Sequence, residues 1–385
     1  MKTAITAARL YTPTHAVDSP LVVIDDERIV SAAARAASTV PKGARQLDFP
    51  GMVLAPGFID VHIHGGSGHD VMEDDDGAIA AIERHMLRRG VTSYLPTTVT
   101  APLKRTLSAL QHLGRQISNR PSHPDRSRPL GIHLEGPFIS HARRGVHPTE
   151  HLLEPSVDMF DRFWQASEGA IRMMTIAPEL SAAQEVIGYA SGLGVRASMG
   201  HSDATYDETF AAIAAGASHA THVFNAMRPL GHRDPGILGA VLTEDRISAD
   251  IIADGLHLAP SIVKLFLAAK GPDHAILITD AISATGMPDG RYSLGEIEVE
   301  VKGARCDYQG KLAGSVLTLD HAVRNVMTFA EWSLQQAVQL VTLNPARLLG
   351  IHDQRGMIAA GHVADLVVLT PEGKVVKTIA EGRIT

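Results

Sequence analysis

Cysteine is almost missing from this chain: Cys306 is the single one in 385 residues. A disulfide within the chain is therefore impossible, and the composition fits a reducing compartment. Cys306 has no nucleophile context and reads as a small core or loop residue. Long apolar runs are missing too. No stretch reaches the ~18 apolar residues of a membrane span. Met1–Thr12 carries Lys2 and Arg9 but lacks the apolar run of a signal peptide. No cluster of Lys and Arg interleaved with aromatic rings occurs, and the formal net charge is −7, which excludes an obvious nucleic-acid surface. No Gly-x-Ser-x-Gly elbow stands between strand and helix, and there is no Walker-type phosphate loop. These absences lead us to expect a soluble, cytoplasmic protein with neither a nucleic-acid nor a membrane partner.

What the chain has in abundance is histidine, with 20 residues. Histidine is the commonest metal ligand, so position decides its meaning. Along the middle of the chain, short β-like runs alternate with amphipathic helix-length runs, the pattern of βα units around a parallel sheet. Eight strands are expected: Phe58–His64, Ser93–Thr97, Gly131–Glu135, Met173–Glu179, Arg196–His201, Ala220–Asn225, Ser248–Asp254 and Ala275–Asp280. Helices are expected at Gly77–Arg89, Ala182–Gly192, Asp207–Ala215 and Pro260–Ala269. Eight strands close a (β/α)8 TIM-like barrel. Strand-like runs at Leu21–Ile24, Arg28–Val30, Ala364–Leu369 and Val375–Ile379 predict a small β-sandwich domain built from both termini. The expected division is 1–54 plus 354–385 for that domain and 55–353 for the barrel.

Ionisable residues gather at the C-terminal strand edges, where chemistry sits in such barrels. His62 and His64 alternate along one strand and share a face, so they can grip one divalent ion. Gly65 and Gly66 follow, which lets backbone approach a ligand. Glu135 precedes Gly136-Pro137; it can cap a helix, pair with a cation, or anchor or bridge metal ions. His201 and His222, taken singly, are ordinary polar residues. With Glu135 they form a carboxylate–bis-imidazole set from neighbouring strands, a common donor set of catalytic zinc that leaves a position for water. Asp280 ends an apolar strand and suits a partly desolvated base, with a helix N-cap as its competitor. A metal that lowers the pKa of water and a carboxylate that shuttles the proton are what amide hydrolysis requires.

The stretches PGFIDVHIHG, HLEGPF, GVHP, GHSDA, THVFNAM, DPGILGAVL, IIADGLH, ITDA and LAGSVLTL, in this order from Pro56 to about Leu319, resemble the N-acetylglucosamine-6-phosphate deacetylase family of the amidohydrolase superfamily. The tail IAAGHVADLVVL is a looser, superfamily-wide match. The resemblance implies hydrolysis of a phosphosugar, N-acetylglucosamine 6-phosphate, to glucosamine 6-phosphate and acetate, in amino-sugar catabolism and cell-wall sugar recycling. It implies Glu135, His201 and His222 as principal metal ligands and Asp280 as the acid/base. It implies that His147 polarises the amide carbonyl. Substrate-binding positions carried over are Val146, His147, Asn225, Ala226, Arg233, His257, Leu312, Ala313 and Gly314, with Arg233 and His257 at the phosphate. His62 and His64 are kept, so one or two divalent ions per subunit are expected, zinc or iron first. Family likeness further implies a homodimer. Arg233, on the Gly/Pro-rich loop Met227–Gly236, is the residue to suspect of acting across the interface.

Two other readings stand beside this one. A superfamily relative would act on another N-acylated amino sugar or amide; those relatives commonly bridge metals with a lysine late in the barrel, a role that falls to Glu135 here. A non-catalytic phosphosugar-binding sensor would have lost a ligand or the acid/base, and both are present.

Overall fold

The computed structural model describes residues 2–119 and 125–384. Eight parallel strands succeed one another in chain order: Phe58–Ile63, Val91–Thr98, Ile132–Glu135, Ile171–Ile176, Arg196–Met199, His219–Ala220, Ser248–Ile252 and Ala275–Ile278. The ring shuts where Ile63 and Ala281 form a parallel bridge and the Asp280 N–H donates to the His62 carbonyl at 3.0 Å. The first and last of these strands are buried along their whole length, as expected of parallel strands covered by helices.

The helices between them start and stop where local chemistry directs. Asp76–Arg88 begins at Asp75, whose carboxylate accepts from the Gly77 N–H, and buries Ile79, Ile82 and Met86 along one face. Tyr206–Ala215 opens on a reciprocal Thr205–Glu208 capping box and ends at Gly216, φ 121°. The helix from Pro260 breaks at Gly271, φ 64°, next to Pro272.

All eight expected strands are present, but the sixth is only His219–Ala220 rather than Ala220–Asn225. Positive φ angles at His222, Phe224 and Ala226 (30°, 78° and 51°) take that segment out of extended geometry. Its apolar residues suggested a strand, yet Val223 is buried as core beside the turn.

Both termini build a second sheet, in the order Arg383–Ile384, Val375–Ala380, Leu366–Leu369, Arg45–Pro56, Lys2–Tyr11, Pro20–Asp25 and Arg28–Ala34, with Ala16–Asp18 paired to Lys2–Tyr11. It folds over its own apolar face, so that Ile5, Val22, Ile24, Leu54, Leu366, Val368 and Ile379 share one core. Strand Arg45–Pro56 runs into the barrel through Gly57, where a Cβ would lie 2.3 Å from the Thr92 hydroxyl. The sheet is also tied to the barrel base by charge. Arg355 pairs with Asp365 and Glu381 and donates to the Ser93 hydroxyl at 3.2 Å, and Arg128 reaches Glu381 at 2.9 Å.

A third sheet had no place in the sequence reading. Gly290–Leu294, Ile297–Lys302, Arg305–Tyr308 and Lys311–Leu312 form an antiparallel insertion after the last barrel strand. Its signal was legible: Ile297, Val299 and Val301 alternate with Glu298, Glu300 and Lys302, and Gly303 turns the chain. Cys306 is buried within it. Among the described residues, no helix is long and apolar enough to cross a membrane.

Candidate metal centre and active site

Six side chains expected to act together converge at the C-terminal mouth of the barrel, with Glu135 at their centre. Its Oε1 lies 3.2 Å from His201 Nε2 and 3.0 Å from His222 Nε2, and those two nitrogens are 3.1 Å apart. Its Oε2 lies 3.3 Å from His64 Nε2. His64 in turn is 3.1 Å from His62 Nε2 and 3.0 Å from Asp280 Oδ1. One carboxylate thus faces two nitrogen pairs, the arrangement that could bridge two ions.

Hydrogen bonds on the far side of the rings test whether metal fits. His64 Nδ1–H donates to the Thr97 carbonyl at 2.9 Å, and His201 Nδ1–H to the Arg143 carbonyl at 3.0 Å. Each bond fixes the tautomer and leaves an Nε2 lone pair aimed at Glu135, the outer support a ligating imidazole needs. Buried lone pairs converging on a carboxylate repel unless a shared cation lies among them. The donor set therefore fits a divalent ion; imidazole and carboxylate do not select among zinc, iron and their neighbours.

His147 is also close to Glu135, at 3.7 Å, and to His201. Its tautomer differs. The Thr100 N–H donates to its Nδ1 at 3.3 Å, with the Thr100 hydroxyl at 2.9 Å. Nδ1 is thus an acceptor and Nε2 carries the proton. Burial and the neighbouring His201 push its pKa down to about 3, so the ring is a neutral Nε2–H donor. That makes it a partner for an oxygen in the cavity rather than a ligand.

Burial alone would raise the Asp280 pKa, but positive charge on the His62–His64 side of the site, on the protonated rings or on a cation held in place of those protons, keeps it down, to about 2. Asp280 is an ionised acceptor at neutral pH.

His201, His222 and Asp280 all have positive φ: 48°, 30° and 51°. Such angles in non-glycine residues cost ~1–3 kcal/mol each and persist where surroundings fix them. The His222 N–H is held by buried Asp250, whose other oxygen is 2.8 Å from His219 Nε2. Asp280 is pinned on both sides, by the His62 carbonyl and by the Ser315 N–H, which donates to the Asp280 carbonyl at 2.8 Å. Beneath these candidate ligands, His133, Thr175, Thr221 and Ser198 form a hydrogen-bonded chain across the barrel interior.

A cavity of about 180 Å3 opens over this centre. Val146, His147, Asn225, Ala226, His257, Leu312 and Gly314 line it, as expected of them; Ala313 is buried behind its wall. His257 donates Nδ1–H to Asp254 at 2.7 Å, and Asp254 also accepts the His257 and Leu256 N–H groups, so the ring is fixed. Arg233 is exposed on its loop and does not line the cavity. A larger recess of about 610 Å3 lies on the terminal sheet among Asp25, Arg28, Arg45 and Arg383. Among the described residues no histidine or cysteine lines it, so size alone does not mark it as a site.

Sequence reasoning missed the supporting residues: Thr97, Thr100, Arg143, Asp250 and Asp254. Asp254 stands inside IIADGLH, three residues before His257, and its carboxylate was available as a signal. Thr100 and Arg143 carried none, because the first acts partly and the second wholly through the backbone. The apolar lining residues Val99, Ile252 and Leu294 were also unforeseen.

Residues 53–385 match the amidohydrolase family model. The N-acetylglucosamine-6-phosphate deacetylase of Bos taurus is 40% identical over 352 residues, 88% of this chain and 85% of that one. The N-acetylgalactosamine-6-phosphate deacetylase of Escherichia coli O157:H7 is 37% identical over 349 residues, 90% of this chain and 91% of that one. Among solved structures, a mutant Mycobacterium smegmatis N-acetyl-D-glucosamine-6-phosphate deacetylase, in complex with N-acetyl-D-glucosamine-6-phosphate, superposes with a TM-score of 0.93 at 34% identity. The match covers 100% of this chain and 99% of that one.

Proposed function

The chain belongs to the amidohydrolase family and, within it, to the N-acetylglucosamine-6-phosphate deacetylases, and from that premise we propose that it hydrolyses N-acetylglucosamine 6-phosphate to glucosamine 6-phosphate and acetate. The observation that carries this reading is the convergence of four imidazoles and Asp280 on Glu135 beneath a cavity with a neutral histidine donor at its side.

Glu135, His201 and His222 would hold the principal divalent ion, and His62 and His64 with Glu135 could hold a second. A bound ion there supplies water acidified to a pKa of about 7. Asp280, ionised and at the cavity floor, accepts the proton of the attacking water and returns it to the amine nitrogen as the C–N bond breaks. His147 donates its Nε2–H to the carbonyl oxygen, where negative charge grows. Asn225 and Ala226, with Leu312 to Gly314, line the sugar. His257 and Arg233 take the phosphate, a dianion suited to charge-assisted bonds. Arg233 is exposed and away from its own cavity, which supports a homodimer in which each chain lends one arginine to the other. We place the enzyme in the cytoplasm, where a single cysteine meets reducing conditions.

The test is steady-state acetate release from N-acetylglucosamine 6-phosphate, its galacto epimer and plain N-acetylglucosamine. Charged hydrogen bonds contribute roughly 1.5–3 kcal/mol each, so the phosphorylated sugar should lead the plain one at least tenfold in kcat/KM. Equal rates on both remove the phosphate from the reading. A lead for the galacto epimer would move the assignment to the other sugar phosphate, as in the Escherichia coli relative.

A further inference from the structure

Beside His147 the active-site cavity continues into a small, mainly apolar notch of about 20 Å3, which Thr100, Pro148 and Glu296 also line. Val99, Val146, His147 and Leu294 border both spaces, and Ile297 closes the notch. A single water needs roughly 10–15 Å3 of such volume, so the notch has room for a group of methyl size and little more. Beyond Val146 and Ile297 lies a wider, polar basin of about 380 Å3, with Arg144, Glu150 and Lys311 on its walls. The notch is therefore a constriction with space behind it.

Its walls are held firmly. Leu294 sits between Ser293, whose carbonyl accepts the Ser283 hydroxyl, and Gly295, whose N–H donates to Asp70 Oδ2 at 2.8 Å. Gly295 presses on Val99: a Cβ there would lie 2.5 Å from Val99 Cγ2, and its φ is +57°. The Val99 N–H meets the Met72 sulfur at 3.3 Å. Leu294 and Val99 are 5% and 8% exposed. Close-packed walls of this kind do not yield to an extra methylene without strain.

We infer that the notch is the acyl subsite: it receives the methyl of the N-acyl group, and Val99, Leu294 and Ile297 set the longest acyl chain the enzyme hydrolyses. The inference rests on the deacetylase reading, because the His147 Nε2–H marks where the carbonyl oxygen lies. An amide carbonyl carbon bears oxygen, nitrogen and the acyl chain. With the oxygen at His147 and the nitrogen on the sugar side among Asn225 and His257, the chain turns toward the apolar recess. The constriction then selects acetyl by size, and the insertion Gly290–Leu312 has a role in specificity beyond covering the site.

The experiment compares kcat/KM for N-formyl, N-acetyl and N-butyryl glucosamine 6-phosphate in the metal-loaded enzyme. One misplaced methylene is typically worth about 10–200-fold, so the wild type should prefer acetyl to butyryl by at least about tenfold. Leu294→Ala opens the notch toward the basin and should raise the butyryl-to-acetyl ratio about tenfold or more. Ile297→Ala, on the exposed insertion, should shift that ratio the same way and serves if the first variant does not fold. Val99→Leu fills the notch and should raise the formyl-to-acetyl ratio instead. Because each readout is a ratio within one preparation, a general loss of folded enzyme does not move it. Ratios within about twofold of wild type in all folded variants would overturn the subsite. A wild type that releases no acetate would overturn the deacetylase reading itself.

Discussion

His201 Nε2 and His222 Nε2 stand 3.1 Å apart, both within 3.2 Å of one oxygen of Glu135. With the His201 Nδ1 proton engaged by the Arg143 carbonyl, its Nε2 has no proton to offer His222 or Glu135 while the ring is neutral. A cation shared among the three resolves the conflict, so His201→Ala should release bound metal. Loss of an outer support alone costs 10–100-fold in metal affinity, and loss of a ligand should exceed that. His62→Ala, on the other side of Glu135, should lose less of both metal and activity. Metal analysis after dialysis, with acetate release on the same samples, checks this; equal losses would make both ions essential.

Asp280→Asn keeps the side-chain shape and removes the base. General acid–base catalysis typically contributes ~10²–10⁴-fold, and a group serving both proton transfers should lie at or beyond the upper end. The fall should appear in kcat, with KM near the wild-type value. A variant within tenfold of wild type would take the proton shuttle away from Asp280.

Arg355 sits between the terminal sheet and the barrel, 11% exposed at its side chain, against Asp365 and Glu381. Removing one partner of a buried pair leaves uncompensated charge and typically costs ~3–5 kcal/mol. Arg355→Ala should therefore lower the denaturant midpoint of unfolding by a corresponding amount. An unchanged midpoint would show the pair to be screened and the sheet held by its apolar core alone.

Arg233 can be tested by mixing inactive chains. If the proposed homodimer forms, co-expressed Arg233→Ala and Asp280→Asn chains give mixed dimers. If Arg233 serves the neighbouring site, the Arg233→Ala chain keeps its own Asp280 and borrows an intact arginine, so one site of two is whole and activity returns. If Arg233 serves its own site, each site carries one lesion and none returns. Restored acetate release in a verified mixed dimer is the expected result.

Much of the fold could be read from the sequence because barrel strands announce themselves by position as well as pattern. Ala275–Ile278 is a continuous apolar run that leads to Asp280, Phe58–Ile63 is a buried run that carries Asp60 and His62 and leads to His64, and both are where alternation with helices placed them. The segment after Ala220 misled because positive φ at His222, Phe224 and Ala226 is decided by tertiary contacts, among them the Asp250 bond to the His222 N–H. The insertion Gly290–Leu312 showed a clear two-residue period but fell outside the βα rhythm. At the site, the candidate ligands were legible because ionisable side chains share a placement at the strand ends. The acceptors that set their tautomers were not, since carbonyls like those of Thr97 and Arg143 exist at every residue. The walls that size the acyl group, Val99 and Leu294, read as ordinary core.

The central claim is that this chain removes an acetyl group at a metal held by Glu135, His201 and His222. The most direct measurement is kcat/KM for acetate release from N-acetylglucosamine 6-phosphate before demetallation, after it, and after return of a divalent ion. Loss on stripping and recovery on return are the predicted results; full activity in exhaustively demetallated protein would contradict the account.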